Sequence, residues 1–197
     1  MTEALAPAVT PIAAGSAVPH MEAAAGGADP IIINPAPHQM SELDFLLGEY
    51  RGFTSPVPDE GNLTVITKTV KILDDNWYQM EMTFPTNTDT GTVTGFWTFG
   101  WDSVQHQYVA QWYDNLGSYG TATSPGWVDG HFRLTGQYLR VIIAGGTSGV
   151  SEGELITSID DFSFVEPGHL RDDITYLVNG EWAPCGTIDF HKVEDAG

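Results

Sequence analysis

The sequence predicts an all-β protein, an antiparallel barrel of about ten strands preceded by one short helix. From residue 62 onward the apolar residues recur with a period of two, as they do on strands that bury one face. Turn signals rich in Gly and Asp separate these segments every ten to fifteen residues, with almost no helical period between them. We favour a barrel over a sandwich because hairpins in up-and-down order close into a tube and remove exposed edges.

The first 39 residues differ from the rest of the chain. They are rich in Ala, Pro and Gly, lack a sustained period and hold too few apolar groups to fold alone. We therefore divide the chain into a tail, 1–39, and a barrel domain, 40–197. The apolar stretch "PIIINP" at 30–35 is an exception that could dock on the domain or on a second subunit. The tail is thus either disordered or docked, and a homodimer is an open alternative.

The barrel domain begins with "SELDFLLGEYRG" at 41–52, which predicts a short helix running into a strand. Ser41 and Asp44 resemble a capping box ahead of an apolar turn. Leu43, Leu46 and Leu47 share one helical face, and Gly48 is a suitable end. Nine further segments then alternate in polarity, at 62–73, 77–84, 90–102, 106–114, 126–136, 137–146, 153–166, 169–178 and 181–193.

Charge and composition exclude several classes of partner. The chain has 26 acidic and 7 basic residues, a net charge of −19, which repels nucleic acid and anionic membranes. No run of about eighteen apolar residues is present. The start is acidic and interrupted by Pro, unlike a secretory signal, so we expect a cytoplasmic protein.

The residues that commonly bind metals show no metal-binding pattern. The six histidines have no spacing typical of zinc ligands, and the adjacent acids lack the spacing of a calcium loop. We interpret the adjacent acids as turn or strand-edge residues: Asp74–Asp75, Asp160–Asp161 and Asp172–Asp173. The single cysteine, Cys185, excludes an internal disulfide and is interpreted as a buried, inert thiol. We therefore expect no metal.

The segment at 95–115, "GFWTFGWDSVQHQYVAQWYDN", contains 7 of the 22 aromatic residues of the chain. Alternation places one set of rings on the inner face, with the small Ala110 between two large ones. A barrel of this size holds either side chains or one small ligand. Rings and methionines are suited to an apolar guest, so we predict these ligand-binding residues: Tyr78, Met80, Met82, Trp97, Phe99, Tyr108 and Trp112.

Four stretches resemble, in order, the DUF1579 family of uncharacterised proteins: "LDFLLGEYRG", the aromatic segment at 95–115, "VDGHFRLTG" and "YLVNGEWAPCGTIDFHKV". The resemblance spans about residues 43–193 and implies a lipocalin-like (calycin) barrel with a pocket, not a reaction. This chain departs from the family pattern at Ala110, where Gly is usual, and at Tyr50, where Trp is commoner. Ile159 stands where the family often has Arg, which Arg171 on the next strand could replace.

Three functions are compatible with these observations. The first is the binding of a small hydrophobic molecule, as a carrier or by sequestration. The second is a cofactor-free enzyme of the cyclase or isomerase type on an apolar substrate in the same cavity. Its candidate catalytic residues are Glu154, Tyr108 and Arg171. The third is a structural or interaction protein that uses the tail.

His191 gives one alternative to a protein without cofactors. Nitrobindins, another calycin-like barrel group, bind haem through one histidine, and His191 on the last strand is loosely similar. Alternation, however, places His191 on the other face of the strand from Ile188 and Phe190, so we expect it to face solvent.

Overall fold

The computed structural model describes residues 36–54, 63–85, 91–143 and 151–194. Asn34–Gly197 form one compact unit. The predictions for the tail, including the docking of 30–35, lie outside the described residues. Among the described helices, none is long and apolar enough to cross a membrane.

One helix and eleven strands follow one another along the chain. The helix is a 3₁₀ helix at His38–Leu46. The strands are β1 Gly48–Thr54, β2 Thr64–Ile72, β3 Trp77–Pro85, β4 Thr92–Asp102, β5 Gln107–Asp114, β6 Tyr119–Ser124, β7 Trp127–Val128, β8 His131–Ile143, β9 Ser151–Glu166, β10 His169–Val178 and β11 Glu181–Lys192.

The strands form a closed antiparallel barrel, as predicted. Each long strand pairs with its neighbours in the chain, β1 pairs with β11, and β6 skips the two-residue β7 to pair with β8. The ring therefore contains ten strands, with β7 beside the start of β8. Gly136 makes the β6–β8 approach possible, because a Cβ there would lie 2.3 Å from the Thr121 carbonyl oxygen.

The helix differs from its prediction in type and start. It begins at His38 after the extended Pro37, and no side chain caps it. Ser41 lies inside it and donates from Oγ to the His38 carbonyl at 2.7 Å, so the capping box is wrong. Proline suits the helix start because it has no N–H to leave unpaired. Gly48, with φ of +96°, redirects the chain into β1.

The apolar face of the helix covers one end of the barrel. Met40, Leu43 and Leu46 are buried and pack in the core cluster beneath them. The rings of that cluster under the helix belong to Tyr78, Phe99, Tyr108 and Phe132, all at most 1% exposed. We call the helix together with these four rings the plugged end.

Tyrosine hydroxyls from three strands hold the helix in place. Tyr50 donates to the Phe45 carbonyl at 2.6 Å, and Tyr78 donates to the Asp44 carboxylate. The Tyr108 hydroxyl lies 2.7 Å from the Gln39 carbonyl oxygen and 2.9 Å from Glu42 Oε2. Burial, followed by the Asp44 carboxylate, raises the pKa of Tyr78 to about 12, so this hydroxyl stays a donor.

Two interpretations of polar residues are corrected. Cys185 is exposed, because the β10–β11 register passes from Gly186 to Pro184 and leaves it in the bulge between them. Asp74–Asp75 occupy a turn as predicted. The other two acidic pairs lie inside β9 and β10 rather than in turns or at strand ends.

Candidate functional site

The barrel contains a cavity of about 630 Å³ at the end away from the helix. We call it the cavity. Aliphatic and aromatic side chains form most of its wall, together with three aspartates and a few hydroxyls. Its apolar residues include Val65, Met82, Phe84, Val93, Trp97, Trp112, Leu139, Ile156, Phe162, Ile174 and Ile188.

The structure separates the seven predicted ligand-binding residues into two groups. Met82, Trp97 and Trp112 line the cavity. The other four do not line it and are buried in the core cluster that also contains the helix residues: Tyr78, Met80, Phe99 and Tyr108. All seven lie on the inner face, but their height along each strand decides which group they join.

Trp97 and Trp112 form an aromatic wall with Tyr138. The Trp97 ring lies 5.5 Å from the ring of Trp112 and 5.5 Å, edge to face, from that of Tyr138. Gly95 leaves room for the Trp112 indole, because a Cβ at Gly95 would lie 2.3 Å from its ring carbons. The wall therefore depends on a residue without a side chain at position 95.

Asp114 fixes the turn beside this wall. Its Oδ1 accepts from the backbone N–H groups of Leu116 at 2.9 Å and Ser118 at 3.0 Å. Its Oδ2 accepts from the Trp112 indole N–H at 3.2 Å. Both carboxylate oxygens are thus occupied by structural hydrogen bonds.

Asp160 and Asp172 form a pair of acids on β9 and β10, beside the Tyr138 side of the aromatic wall. Asp160 is opposite Ile174, and Asp172 is opposite Phe162, in the β9–β10 register. The two aspartates are therefore diagonal neighbours on the inner face, a relation that brings side chains within reach of one another. Both line the cavity.

The two acids differ in their hydrogen bonds. Asp160 Oδ2 accepts from the Tyr138 hydroxyl at 3.3 Å and from Ser158 Oγ at 3.5 Å. Asp172 is only 3% exposed, and its Oδ1 has no hydrogen-bond partner among the described residues. A buried carboxylate oxygen without a partner is costly, so Asp172 offers the cavity an unused acceptor.

Burial also changes the acidity of the pair. It raises the pKa of Asp160 to about 6, against the lowering effect of the hydrogen bonds from Tyr138 and Ser158. Burial and then the charge of Asp160 raise the pKa of Asp172 well above its ordinary value. The pair therefore retains protons at pH values where exposed aspartates have lost theirs.

Sequence reasoning missed this pair because each acid has an acidic neighbour. The pattern that could have placed both acids on the inner face is the alternation along their strands. Asp160 shares its face with Ile156 and Phe162, while Asp172 shares its face with Leu170 and Ile174. Asp161 and Asp173, one residue along, lie on the outer face.

The structure places the three candidate catalytic residues apart from one another. Tyr108 belongs to the plugged end. Glu154 shares the inner-face alternation of Asp160 but does not line the cavity. Arg171 lies on the outer face and binds Asp189 with its Nε at 3.0 Å and its Nη2 at 2.9 Å. It therefore does not supply an arginine to the cavity.

His191 also lies outside the cavity. Its exposed ring stacks on that of His169 at 4.1 Å, on the outer face of β10 and β11, as alternation predicted. Haem ligated by His191 would therefore lie outside the barrel. Among the described residues, no group of three or more His, Cys, Asp or Glu side chains is placed to hold a metal ion.

Fold and site together define a closed, ten-stranded antiparallel barrel protein with one plugged end and an internal cavity. The chain belongs to the family described as "Protein of unknown function (DUF1579)", whose model matches residues 38–192. The sequence resemblance is thereby confirmed.

One solved structure supports the fold. The crystal structure of Rv2717c from M. tuberculosis is similar with a TM-score of 0.54 and 8% identity, over 81% of this chain and 99% of that chain. At that identity the likeness concerns the fold alone. The chain matches no protein in a search of curated proteins.

Proposed function

We propose that this protein binds a small hydrophobic molecule inside the cavity, as a carrier or by sequestration. The observation that carries the proposal is an apolar cavity of about 630 Å³ in a barrel whose other end is packed by its own helix. Ligand sites usually have volumes of about 300–1,000 Å³ and mostly apolar walls with a few polar groups. The net charge of −19 supports a small molecule over nucleic acid or an anionic membrane as the partner.

The test uses naphthylmethanol, a neutral apolar probe, in isothermal titration calorimetry. Ile174 lines the cavity on β10, and Ile174→Phe places extra atoms in the space a ligand needs. Leu177→Phe on the same strand is the matched control, since Leu177 is exposed. We expect binding to the native protein, at least about tenfold weaker binding to Ile174→Phe, and no change with Leu177→Phe. Absent binding, or binding that ignores Ile174→Phe, would overturn the proposal.

A second proposal is cofactor-free acid–base catalysis, of the isomerase or cyclase type, in the same cavity. The observation in its favour is Asp160, with a pKa raised to about 6 and a tyrosine hydroxyl beside it. In such a reaction the Asp160 carboxylate takes a proton from one carbon of the substrate and returns it to another, while the Tyr138 hydroxyl turns from Asp160 to donate a hydrogen bond to the oxygen where charge develops.

An apolar ketone tests this second proposal without knowledge of the natural substrate. Phenylacetone in D₂O should exchange its α-protons faster with the protein than in buffer, as followed by NMR. Asp160→Asn should remove the acceleration while naphthylmethanol still binds. Exchange at the buffer rate, or exchange that Asp160→Asn leaves intact, would rule out this role for Asp160.

A further inference from the structure

We propose that the preferred ligand of the cavity is an apolar molecule with a protonated amine, whose ammonium group binds between Asp160 and Asp172. This inference rests on the proposed binding function and adds the chemical class of the ligand. Four observations support it: the charge of the wall, the unused acceptor, the aromatic rings and the poorer fit of a metal ion or a neutral alcohol.

The charge of the cavity wall is one-sided. Three of its described lining residues are aspartates, and none is Lys, Arg or His. Asp114 is occupied by its turn and by Trp112. No cationic side chain of the wall pairs with Asp160 or Asp172, so the counter-charge of these acids, once ionised, can come from a ligand.

One carboxylate oxygen of the pair is also left without a hydrogen-bond donor. Tyr138 and Ser158 both donate to Asp160 Oδ2, whereas Asp172 Oδ1 has no partner within the described chain. An ammonium group carries three N–H donors and no acceptor. It can donate to both aspartates at once, and charge-assisted hydrogen bonds of this kind are stronger than neutral ones.

The aromatic wall suits both parts of such a molecule. Trp97, Trp112 and Tyr138 lie around the same cavity as the two acids. The faces of aromatic rings attract cations, most strongly when water is excluded. The aliphatic wall residues, such as Ile156 and Ile174, would contact the apolar body of the ligand.

A metal ion and a neutral alcohol fit less well. The described residues bring no third metal-ligating side chain to the pair, and a calcium ion takes six to eight oxygen ligands. A hydroxyl could donate one hydrogen bond to Asp172 but brings no positive charge that would stabilise the ionised form of the pair. Both become outcomes of the test.

Binding should depend on pH through the pair. An ammonium group favours ionised carboxylates, so affinity should rise as pH increases from 5 to 8, and binding should release protons. Other groups act on the same region: Asp114, Tyr138 and Tyr176 line the cavity, and Asp161 and Asp173 raise the pKa of Asp172 from the outer face.

The experiment compares three probes of one shape by calorimetry at pH 7: naphthylmethylamine, naphthylmethanol and naphthoate. We expect the amine to bind at least about tenfold more tightly than the alcohol, and naphthoate to bind most weakly. Asp172→Asn and Asp160→Asn should each reduce the preference for the amine while the alcohol still binds. Asp173→Asn, which makes the same charge change on the exposed side of β10, should preserve the preference.

Each other result has a distinct meaning. Equal affinity for amine and alcohol would overturn the ammonium site and leave the proposed binding function standing. No binding of any probe would overturn both. A preference that survives both variants, or calcium ions that displace the amine, would also overturn the site. Proton release on amine binding to the native protein, measured in two buffers of different ionisation enthalpy, tests the site without any variant, and its absence would count against it.

Discussion

Tyr108 and Tyr138 both point into the barrel, yet they serve opposite ends of it. The Tyr108 hydroxyl binds the helix that covers the plugged end. The Tyr138 hydroxyl instead donates to Asp160 in the cavity. The comparison shows that inner-face residues acquire their role from whatever covers them. Inner rings that find partners in the helix belong to the packed core. Inner rings that the helix does not reach form the wall of the cavity.

The polar groups repeat this contrast. At the plugged end, the tyrosine hydroxyls donate to backbone carbonyls and carboxylates of the helix. In the cavity, Asp172 Oδ1 has no partner among the described residues. Within the described part of the chain, one other buried side-chain oxygen lacks a partner, Thr69 Oγ1, but it belongs to a neutral hydroxyl and does not line the cavity. The carboxyl group of Asp172 is therefore the unusual one of the two, because it can carry a charge and lines the cavity.

The largest expected effect is the loss of stability when a buried ring is removed from the plugged end, compared with the loss when a ring is removed from the cavity. Phe132→Ala should lower the free energy of unfolding by about 3–5 kcal/mol, because its fully buried ring packs on Tyr108 and Phe45. Phe84→Ala should cost about 1 kcal/mol or less, because Phe84 faces the cavity and has contacts on fewer sides. Urea unfolding measures both, and equal losses would contradict the distinction between the ends.

Asp172→Asn should change how stability depends on pH. The folded pKa of Asp172 lies above its ordinary 3.8, so its contribution to stability is fully present below about pH 4 and is lost as pH rises through the folded pKa. Relative to the native protein, Asp172→Asn should therefore gain stability between pH 4 and pH 8, by about 1–3 kcal/mol.

Urea titrations at several pH values measure this difference, with Asp173→Asn as the control. The control should show no gain of this size, because Asp173 is exposed and its carboxylate accepts from Thr187 Oγ1 at 2.6 Å. A native protein that is the more stable of the pair at pH 8 would show that Asp172 has a compensating partner.

Removing one hydroxyl at each end tests the roles of the two tyrosines. Tyr108→Phe should lower the free energy of unfolding by about 1 kcal/mol and speed hydrogen exchange in the helix, because Gln39 and Glu42 lose their donor. Tyr138→Phe should leave the helix unchanged and raise the pKa of Asp160 further, because the lost hydrogen bond had lowered it. NMR titration of the carboxyl carbons measures this pKa, and an unchanged value would argue against the Tyr138 contact.

The smallest effect concerns the outside of the plugged end. Lys71 Nζ lies 3.2 Å from Asp44 Oδ1, but the two side chains are 31% and 51% exposed. Lys71→Met should therefore cost less than about 1 kcal/mol, and the cost should shrink in high salt. A loss as large as that of Phe132→Ala would mean that the ion pair, rather than packing, holds the helix.

Sequence alone predicted the barrel because each strand has to bury one face, and the period of two records that requirement. Trp97 and Trp112 were recognised as inner residues in this way, and so was Tyr108. Their separation into wall and core could not be predicted, because it depends on how far the helix reaches across one end. The sequence of this nine-residue helix contains no pattern that tells how far the helix reaches across the barrel.

The acids were missed for a different reason. Asp160 and Asp172 break the usual rule that charged residues avoid buried positions. Their residue type alone therefore favoured exposed positions in turns. Strict use of alternation would have placed them inside, beside Phe162 and Ile174. Local rules are most often broken at functional sites, so an acid at an inner position is a better indicator of such a site than another aromatic ring.

The return of the last strand to the first has a practical consequence. The Val193 N–H donates to the Glu49 carbonyl at 2.9 Å, so the chain around Glu194 comes back beside the start of β1, on the helix side of the barrel. A tether attached after Glu194 would therefore hold the molecule at the helix side of the barrel and leave the end that contains the cavity facing the solution. This orientation suits immobilised biosensors and reporter fusions.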